Sequence, residues 1–165
     1  MSSSKLSAML SPDSLAQIDR EVTKYPAEHK QSAVMSALRI AQTELGWLSR
    51  DTIAAVADYL EMPAIAVYEV ATFYNMYDLA PVGRNKVTLC TNLPCQLQGA
   101  DKIAERMQAK LGIGFNETTA DGRYTLKEGE CMGTCGSGPL CLHNNHKMHT
   151  HLTPESVDKL LDDMK

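Results

Sequence analysis

Apolar residues recur every three or four positions through roughly the first 75 residues, which is the spacing of amphipathic helices. Four predicted helices begin at residues that favour helix starts, namely Ser11–Pro12, Pro26, Ser49 or Asp51, and Pro63. Gly46 is placed to end the second of them. The apolar faces consist of Leu15, Ile18 and Val22; Val34, Leu38, Ala41 and Leu45; Ile53, Val56, Ala57 and Leu60; and Val67, Val70, Ala71 and Tyr74. Because the connections are short, we predict a compact antiparallel helical bundle over residues 1–80.

The pattern changes after Pro81-Val82-Gly83, which we interpret as a domain boundary. Strands are predicted at residues 86–89, 124–126, 140–142 and 148–150, with Asn144-Asn145 as the turn of a terminal hairpin. Helical spacing predicts one helix from Leu97 to Leu111 and a last helix capped by Thr153. The resulting order, β-α-β-β-β-α, is close to that of a thioredoxin-like unit over residues 81–165. The predicted fold class is therefore α+β, with a helical bundle followed by a thioredoxin-like α/β domain.

Composition and charge narrow the range of functions. The 165 residues carry a net charge of −4 without a basic stripe, so nucleic acid is not an expected partner. No run approaches the ~18 apolar residues of a membrane span, and MSSSKLSAMLSPD at the start lacks the features of a secretory signal or transit peptide. Five cysteines without an export signal fit a reducing compartment, where paired cysteines favour metal or redox roles over structural disulfides. We therefore expect a soluble, intracellular protein.

Four of the five cysteines form two close pairs, and these pairs concentrate the chemistry of the chain. Cys90 and Cys95 make a C-x4-C pair, and Cys131 and Cys135 make a C-x3-C pair. Each pair follows a predicted strand, so one edge of a single sheet could present all four thiolates to a metal centre. We also expect Cys95 to lie at a helix N-terminus, where the helix dipole would lower its thiol pKa.

The residues alone leave three interpretations of the cysteine pairs. Structural zinc tolerates ligand pairs with this spacing. A dithiol redox site is a weaker alternative because the chain has no C-x-x-C. A [2Fe–2S] cluster needs four thiolates, and plant-type ferredoxins also use a C-x4-C pair. The chemistry favours iron–sulfur without excluding zinc.

Four stretches of the sequence resemble a known family in the same order along the chain. They are VATFYNMY from Val70, PVGRNKVTLCTNLPC from Pro81, ECMGTCGSGP from Glu130, and the closing HLTPE before the last helix. Together they resemble the thioredoxin-like [2Fe–2S] ferredoxin subunit of NADH:quinone oxidoreductase, respiratory complex I. The resemblance covers nearly the whole chain, from about Tyr25 to its end.

The resemblance implies one [2Fe–2S] cluster held by Cys90, Cys95, Cys131 and Cys135. It implies an electron-carrying subunit without catalytic residues, which packs on the flavin-bearing, NADH-oxidising subunit beside the remaining peripheral-arm subunits. The cluster would exchange single electrons with the FMN of that partner. Because the chain lacks a Gly-rich dinucleotide loop, NADH and FMN are expected only on the partner. In a bacterial cell the complex would lie at the cytoplasmic face of the inner membrane, with only indirect membrane contact for this chain.

Two other functions stay open at this point. The first keeps the cluster but changes the host, to a flavin-linked NAD(P)-dependent hydrogenase or formate dehydrogenase. The second is a zinc-stabilised structural module without redox function.

The remaining histidines, the fifth cysteine, two basic residues and two aromatic residues are expected to have mainly structural or surface roles. We expect the histidines between His143 and His151 to be surface residues, with His149 and His151 on one strand face, and Cys141 to be a packed thiol. Arg84 and Lys86 are interface charges, charges near the cluster, or part of a solvated strand edge. Phe73 and Tyr74 either join the two domains or contact the flavoprotein.

Overall fold

The computed structural model describes residues 5–164, and its internal contacts divide the chain into two units. The first unit ends at Pro81 and the second begins at Val82. Residues 1–4, part of the N-terminal segment that is expected to lack a targeting signal, lie outside the described residues. Across residues 5–164 no helix is both long enough and apolar enough to cross a bilayer.

The first unit is helical throughout its regular structure. Its α-helices are α1 (Lys5–Met9), α2 (Pro12–Val22), α3 (Val34–Leu45), α4 (Arg50–Leu60) and α5 (Ala64–Phe73). A 3₁₀ segment, Ala27–Ala33, precedes α3. The buried side chains are almost all aliphatic, and the largest of them are Leu6, Ile18, Leu38, Leu48, Val56 and Leu60. This unit therefore has a hydrophobic core of its own.

The ends of these helices follow the predicted capping residues. The Ser11 side chain accepts a hydrogen bond from the Ser14 N–H at the start of α2, and Ser49 accepts one from Thr52 at the start of α4. Gly46 ends α3 in the left-handed region, with φ +83°. The helix expected from Pro26 differs, because its first seven residues form the 3₁₀ segment. Helix α1 was not predicted, since its five residues are too few to show a period.

The second unit contains a five-stranded mixed sheet. Its strands are β1 (Asn85–Cys90), β2 (Glu117–Thr118), β3 (Tyr124–Gly129), β4 (Cys141–His143) and β5 (Lys147–His149), in the spatial order β2-β3-β1-β4-β5. β1 and β3 are parallel, with Asn85 opposite Tyr124 and Cys90 opposite Gly129. The other neighbouring pairs are antiparallel. The last two strands form the predicted hairpin, in which Asn144 and Asn145 both have positive φ.

Three helices complete this unit: α6 (Leu93–Gln96), α7 (Ala100–Leu111) and α8 (Pro154–Asp163). Helices α7 and α8 cover one face of the sheet, where Ile103, Met107, Val157 and Leu161 share a buried cluster with Leu126 and other strand residues. The helix predicted from Leu97 to Leu111 begins three residues later, at Ala100, because Gly99 precedes it with φ +93° and separates α7 from the short helix α6, which was not predicted. Strand β2 was not predicted, because both of its residues are exposed and show no apolar alternation.

An ion pair links the two helices on that face, and its contribution to stability depends on pH. Asp158 Oδ1 of α8 accepts a hydrogen bond from Arg106 Nε of α7 at 2.8 Å, and this bond is the main reason that the pKa of Asp158 lies below its ordinary value of 3.8. A lowered pKa means that the stabilisation is complete above about pH 4 and is lost as the pH falls through the folded-state pKa. Asp158→Asn should therefore lower the Tm modestly at pH 7 and leave it unchanged at about pH 2. Thermal melts of wild type and variant at the two pH values measure the effect, and an equal change in Tm at both would contradict it.

Candidate metal centre

The two cysteine pairs start from the same edge of the sheet. Cys90 is the last residue of β1, and Cys131 follows the end of β3 by two residues. Because β1 and β3 are parallel, with Cys90 opposite Gly129, their carboxyl ends lie side by side. The backbone N–H of Thr91 donates to the Gly129 carbonyl at 3.0 Å and continues this pairing beyond the strands. The sheet thus brings the two loops that carry the cysteines together.

The first pair is buried. Only 2% of Cys90 and 1% of Cys95 is exposed, and both pack against Ala100, Leu140 and the partly buried Met132. Cys95 lies within the short helix α6, where its N–H donates to the Asn92 carbonyl at 2.9 Å. One side of the candidate centre is therefore apolar and shielded from water.

The second pair is exposed. The Sγ atoms of Cys131 and Cys135 lie 3.7 Å apart, and all five cysteines of the chain are free thiols. The backbone N–H of Gly133 donates to Cys131 Sγ at 3.3 Å. Gly133 has a φ of +77°, a conformation that other residues rarely adopt, so glycine at this position allows the loop to turn its N–H toward the sulfur.

Polar side chains connect the segment that carries Cys95 with β3 and with the loop that carries Cys131 and Cys135. Gln98 Nε2 donates to the Cys135 carbonyl at 2.8 Å, and Thr91 Oγ1 donates to Glu128 Oε1 at 2.9 Å. A Cβ atom on Gly138 would lie 3.1 Å from Cys95 Sγ and 3.0 Å from Gln98 Nε2, so a larger residue there would force these neighbours to shift by a few tenths of an ångström. Sequence patterns did not indicate Gln98, because an exposed glutamine in a helical segment carries no signal of its own.

Cys95 is a weaker acid than its position suggested. Burial, with smaller contributions from the hydrogen bond with Cys90 and from the charges of Cys135 and Cys131, raises the pKa of Cys95 to about 11. A hydrogen bond with Cys131 likewise raises the pKa of Cys135. The expectation that the helix dipole lowers the Cys95 pKa is therefore wrong, since α6 has only four residues and burial dominates. In the metal-free protein this thiol is protonated at neutral pH, and metal binding must release its proton.

The donor set fits a two-iron cluster. A [2Fe–2S] centre takes four cysteine thiolates, two at each iron, and the structure offers one buried pair beside one exposed pair. Within residues 5–164, no three or more His, Cys, Asp or Glu side chains are arranged around a single metal-ion position. The paired arrangement does not require such a group, because the bridging sulfides of a cluster complete the coordination of each iron.

The fifth cysteine and the histidines are not part of the two cysteine pairs, and their surroundings range from the buried core to the exposed surface. Cys141 is fully buried on β4, where burial raises its pKa to about 12, which confirms that it is a packed thiol. His143 Nε2 lies 3.0 Å from Asn85 Oδ1, and His149 is partly buried with an Nε2 atom that has no hydrogen-bond partner among the described residues. His151 is exposed but lies beyond the end of β5, so the prediction that it shares a strand face with His149 is wrong.

The remaining candidate residues divide between buried and exposed positions. Lys86 is only 4% exposed, because β1 is a central strand, so a solvated strand edge is the wrong interpretation for it. Arg84 precedes β1 and is exposed. In the first unit Phe73 is 80% exposed, and its ring meets that of Tyr74 edge to face at 5.0 Å.

The sequence matches one protein family and is similar to subunits of NADH-oxidising enzymes. Residues 18–165 match the thioredoxin-like [2Fe-2S] ferredoxin family. A subunit of the NADH-quinone oxidoreductase of Rickettsia bellii is 42% identical over 145 residues, which cover 87% of this chain and 86% of the relative. Mitochondrial NADH dehydrogenase [ubiquinone] flavoprotein 2 of Dictyostelium discoideum is 36% identical over 155 residues, 93% of this chain and 62% of the relative.

A solved structure shares the fold at low sequence identity. The crystal structure of an NAD⁺-reducing [NiFe]-hydrogenase in the H₂-reduced state matches with a TM-score of 0.68 and 20% identity. The match covers 79% of this chain but only 22% of the hydrogenase chain. From the family match over most of its length, together with the curated relatives, this chain belongs to the thioredoxin-like [2Fe-2S] ferredoxin family.

Proposed function

We propose that this chain is the electron-transfer subunit of an NADH:quinone oxidoreductase, respiratory complex I. The observation that carries the proposal is the convergence of two thiol pairs at one sheet edge, one buried and one exposed. The two Rickettsia relatives at 42% and 43% identity, both named as subunits of NADH-quinone oxidoreductase, support the identity of the host complex.

In this proposal Cys90, Cys95, Cys131 and Cys135 hold one [2Fe–2S] cluster, which when bound supplies one-electron transfer. Cys90 and Cys95 hold one iron on the apolar side, and Cys131 and Cys135 hold the other on the exposed side. The Gly133 N–H, which already points at Cys131 Sγ, stabilises the thiolate charge there. The protein's own contribution is to supply the four thiolates and to keep the sulfurs in place.

The exposed pair suggests where the partner contacts the chain. Since Cys131 and Cys135 are solvent-exposed, a redox partner can approach that side closely. We propose that this partner is the flavin-bearing, NADH-oxidising subunit, that FMN and NADH are bound there, and that this chain is a carrier without catalysis of its own. The chain would then lie among the peripheral-arm subunits at the cytoplasmic face of the inner membrane.

We further propose that the two units into which the internal contacts divide the chain are separate domains. Residues 1–80 would form a helical bundle, and residues 81–165 the thioredoxin-like domain that carries the cluster. Each unit has its own buried hydrophobic cluster, which supports this division.

The host complex can be tested by affinity purification of the tagged full-length chain from its own cells. We expect a flavoprotein with NADH dehydrogenase activity to co-purify, and NADH added without oxygen should give the EPR signal of a reduced binuclear cluster. Co-purification with hydrogenase or formate dehydrogenase activity would replace the proposed host with the alternative one. A complex in which this chain contains no iron would contradict electron transfer by the chain.

A further inference from the structure

The side chain of Gln98 bridges the two cysteine loops from the α6 side. Its Nε2 atom donates one hydrogen bond to the Pro94 carbonyl at 2.7 Å and another to the Cys135 carbonyl at 2.8 Å. An amide nitrogen has two N–H donors, so both are used in this arrangement. One bond stays within the segment that carries Cys95, and the other reaches the exposed pair.

The surroundings of Gln98 show that the bridge lies against the cysteines themselves. A Cβ placed on Gly138 would be within 3.3 Å of Gln98 Nε2, Gln98 Cδ and Cys95 Sγ alike. The Gln98 amide and the Cys95 sulfur therefore both border the space beside the Gly138 α-carbon.

The hydrogen bonds of Thr91 join the two cysteine segments at a different place from the Gln98 bridge. Thr91 binds Glu128 through its hydroxyl and the Gly129 carbonyl through its N–H, both at the carboxyl end of β3. These bonds fix the start of the second loop. Gln98 fixes Cys135, four residues after Cys131, where the second thiol of the exposed pair is held.

We propose that Gln98 is a positioning residue, whose amide holds Cys135 at the distance from Cys95 that a shared cluster requires. The inference rests on the proposed ligation by the four cysteines and adds a role that the cysteine spacing does not reveal. Gln98 is itself solvent-exposed. Its loss should therefore affect folding little and act mainly on the geometry and retention of the metal centre.

The test compares three variants of the full-length protein loaded with its cluster. Gln98→Leu keeps the approximate size of the side chain but removes both donors, and Gln98→Arg keeps N–H donors in a planar group. The matched control is Gln96→Leu, an exposed glutamine on α6 whose side chain makes no hydrogen bond among residues 5–164. Cluster loss is followed as the decay of visible absorption in the presence of an iron chelator, and the reduced protein is examined by EPR.

We expect Gln98→Leu to lose its cluster about three to ten times faster than wild type, the range given by the loss of one net hydrogen bond. Its EPR g-values should also move, which a general loss of stability would not produce. Gln98→Arg should restore most of the retention, and Gln96→Leu should match wild type. Equal decay rates and spectra in all variants would overturn the positioning role while leaving the ligation intact. A wild-type protein that binds no iron would instead overturn the proposed function itself.

Discussion

Replacing Cys90 or Cys131 with serine is expected to reduce iron binding at least about tenfold and to change the visible and EPR spectra of any cluster that remains. Loss of an outer-shell partner alone costs about 10–100-fold in metal affinity, and a ligand should cost no less. The effect should be larger for Cys90→Ser, because Cys90 is 2% exposed and water cannot take the place of its sulfur. Cys131 is exposed, so a serine or water oxygen can partly replace it there. Iron and sulfide analysis of each purified variant measures the effect.

The control for these variants is Cys141→Ala. Cys141 is fully buried in the core of the second unit and is not one of the paired cysteines, so its replacement should leave two irons and two sulfides per chain. Unchanged spectra in both serine variants would refute the ligand assignment. Loss of the cluster in the Cys141→Ala protein, with the fold intact, would show that the donor set was chosen wrongly.

Truncation of the largest core residues should destabilise each unit separately. Leu38 in α3 and Leu126 in β3 are both fully buried, and replacing either with alanine should lower the free energy of unfolding by about 2–5 kcal/mol. The two units have different reporters, since the chain's single tryptophan, Trp47, lies in the first unit and the proposed cluster in the second. Leu38→Ala should therefore shift the urea midpoint of Trp47 fluorescence, and Leu126→Ala should shift the midpoint of cluster absorption.

The same experiment tests the proposed division into domains. If the units are separate domains, each substitution should move mainly the transition of its own unit. A surface change such as Gln17→Ala, at an exposed position of α2, should move neither transition by more than about 0.5 kcal/mol. Equal shifts of both transitions in both core variants would mean that the chain unfolds as one cooperative unit.

The sequence predicted the elements whose signals are local. Helix caps at Ser11 and Ser49, the stop at Gly46 and the Asn144-Asn145 turn depend on residues within a few positions of one another, and the structure has all of them. The placement of the cysteine pairs at the ends of strands was also predicted, because β1 and β3 show clear apolar patterns, although Cys90 is the last residue of β1 and not the first of the loop.

Features that depend on tertiary surroundings could not be predicted in the same way. The pKa of Cys95 is raised mainly by its burial against residues such as Leu140, which lies 45 positions away in the sequence. The position of Cys95 in a helix therefore predicted a pKa shift in the wrong direction. The burial of Lys86 follows from the central place of β1 in the sheet, which strand order fixes and local sequence does not. The bridge from Gln98 to Cys135 joins residues 37 positions apart through a backbone carbonyl, which leaves no trace in the sequence pattern.

Electron transfer by this chain depends on a [2Fe–2S] cluster bound by the four paired cysteines, and metal analysis of anaerobically purified protein tests for that cluster most directly. Iron, acid-labile sulfide and zinc should be measured per chain, together with EPR before and after reduction with dithionite. We expect two irons and two sulfides per chain, no EPR signal in the oxidised protein and one signal after reduction. One zinc per chain, without iron or sulfide and without an EPR signal, would identify a structural zinc module and contradict electron transfer by this chain.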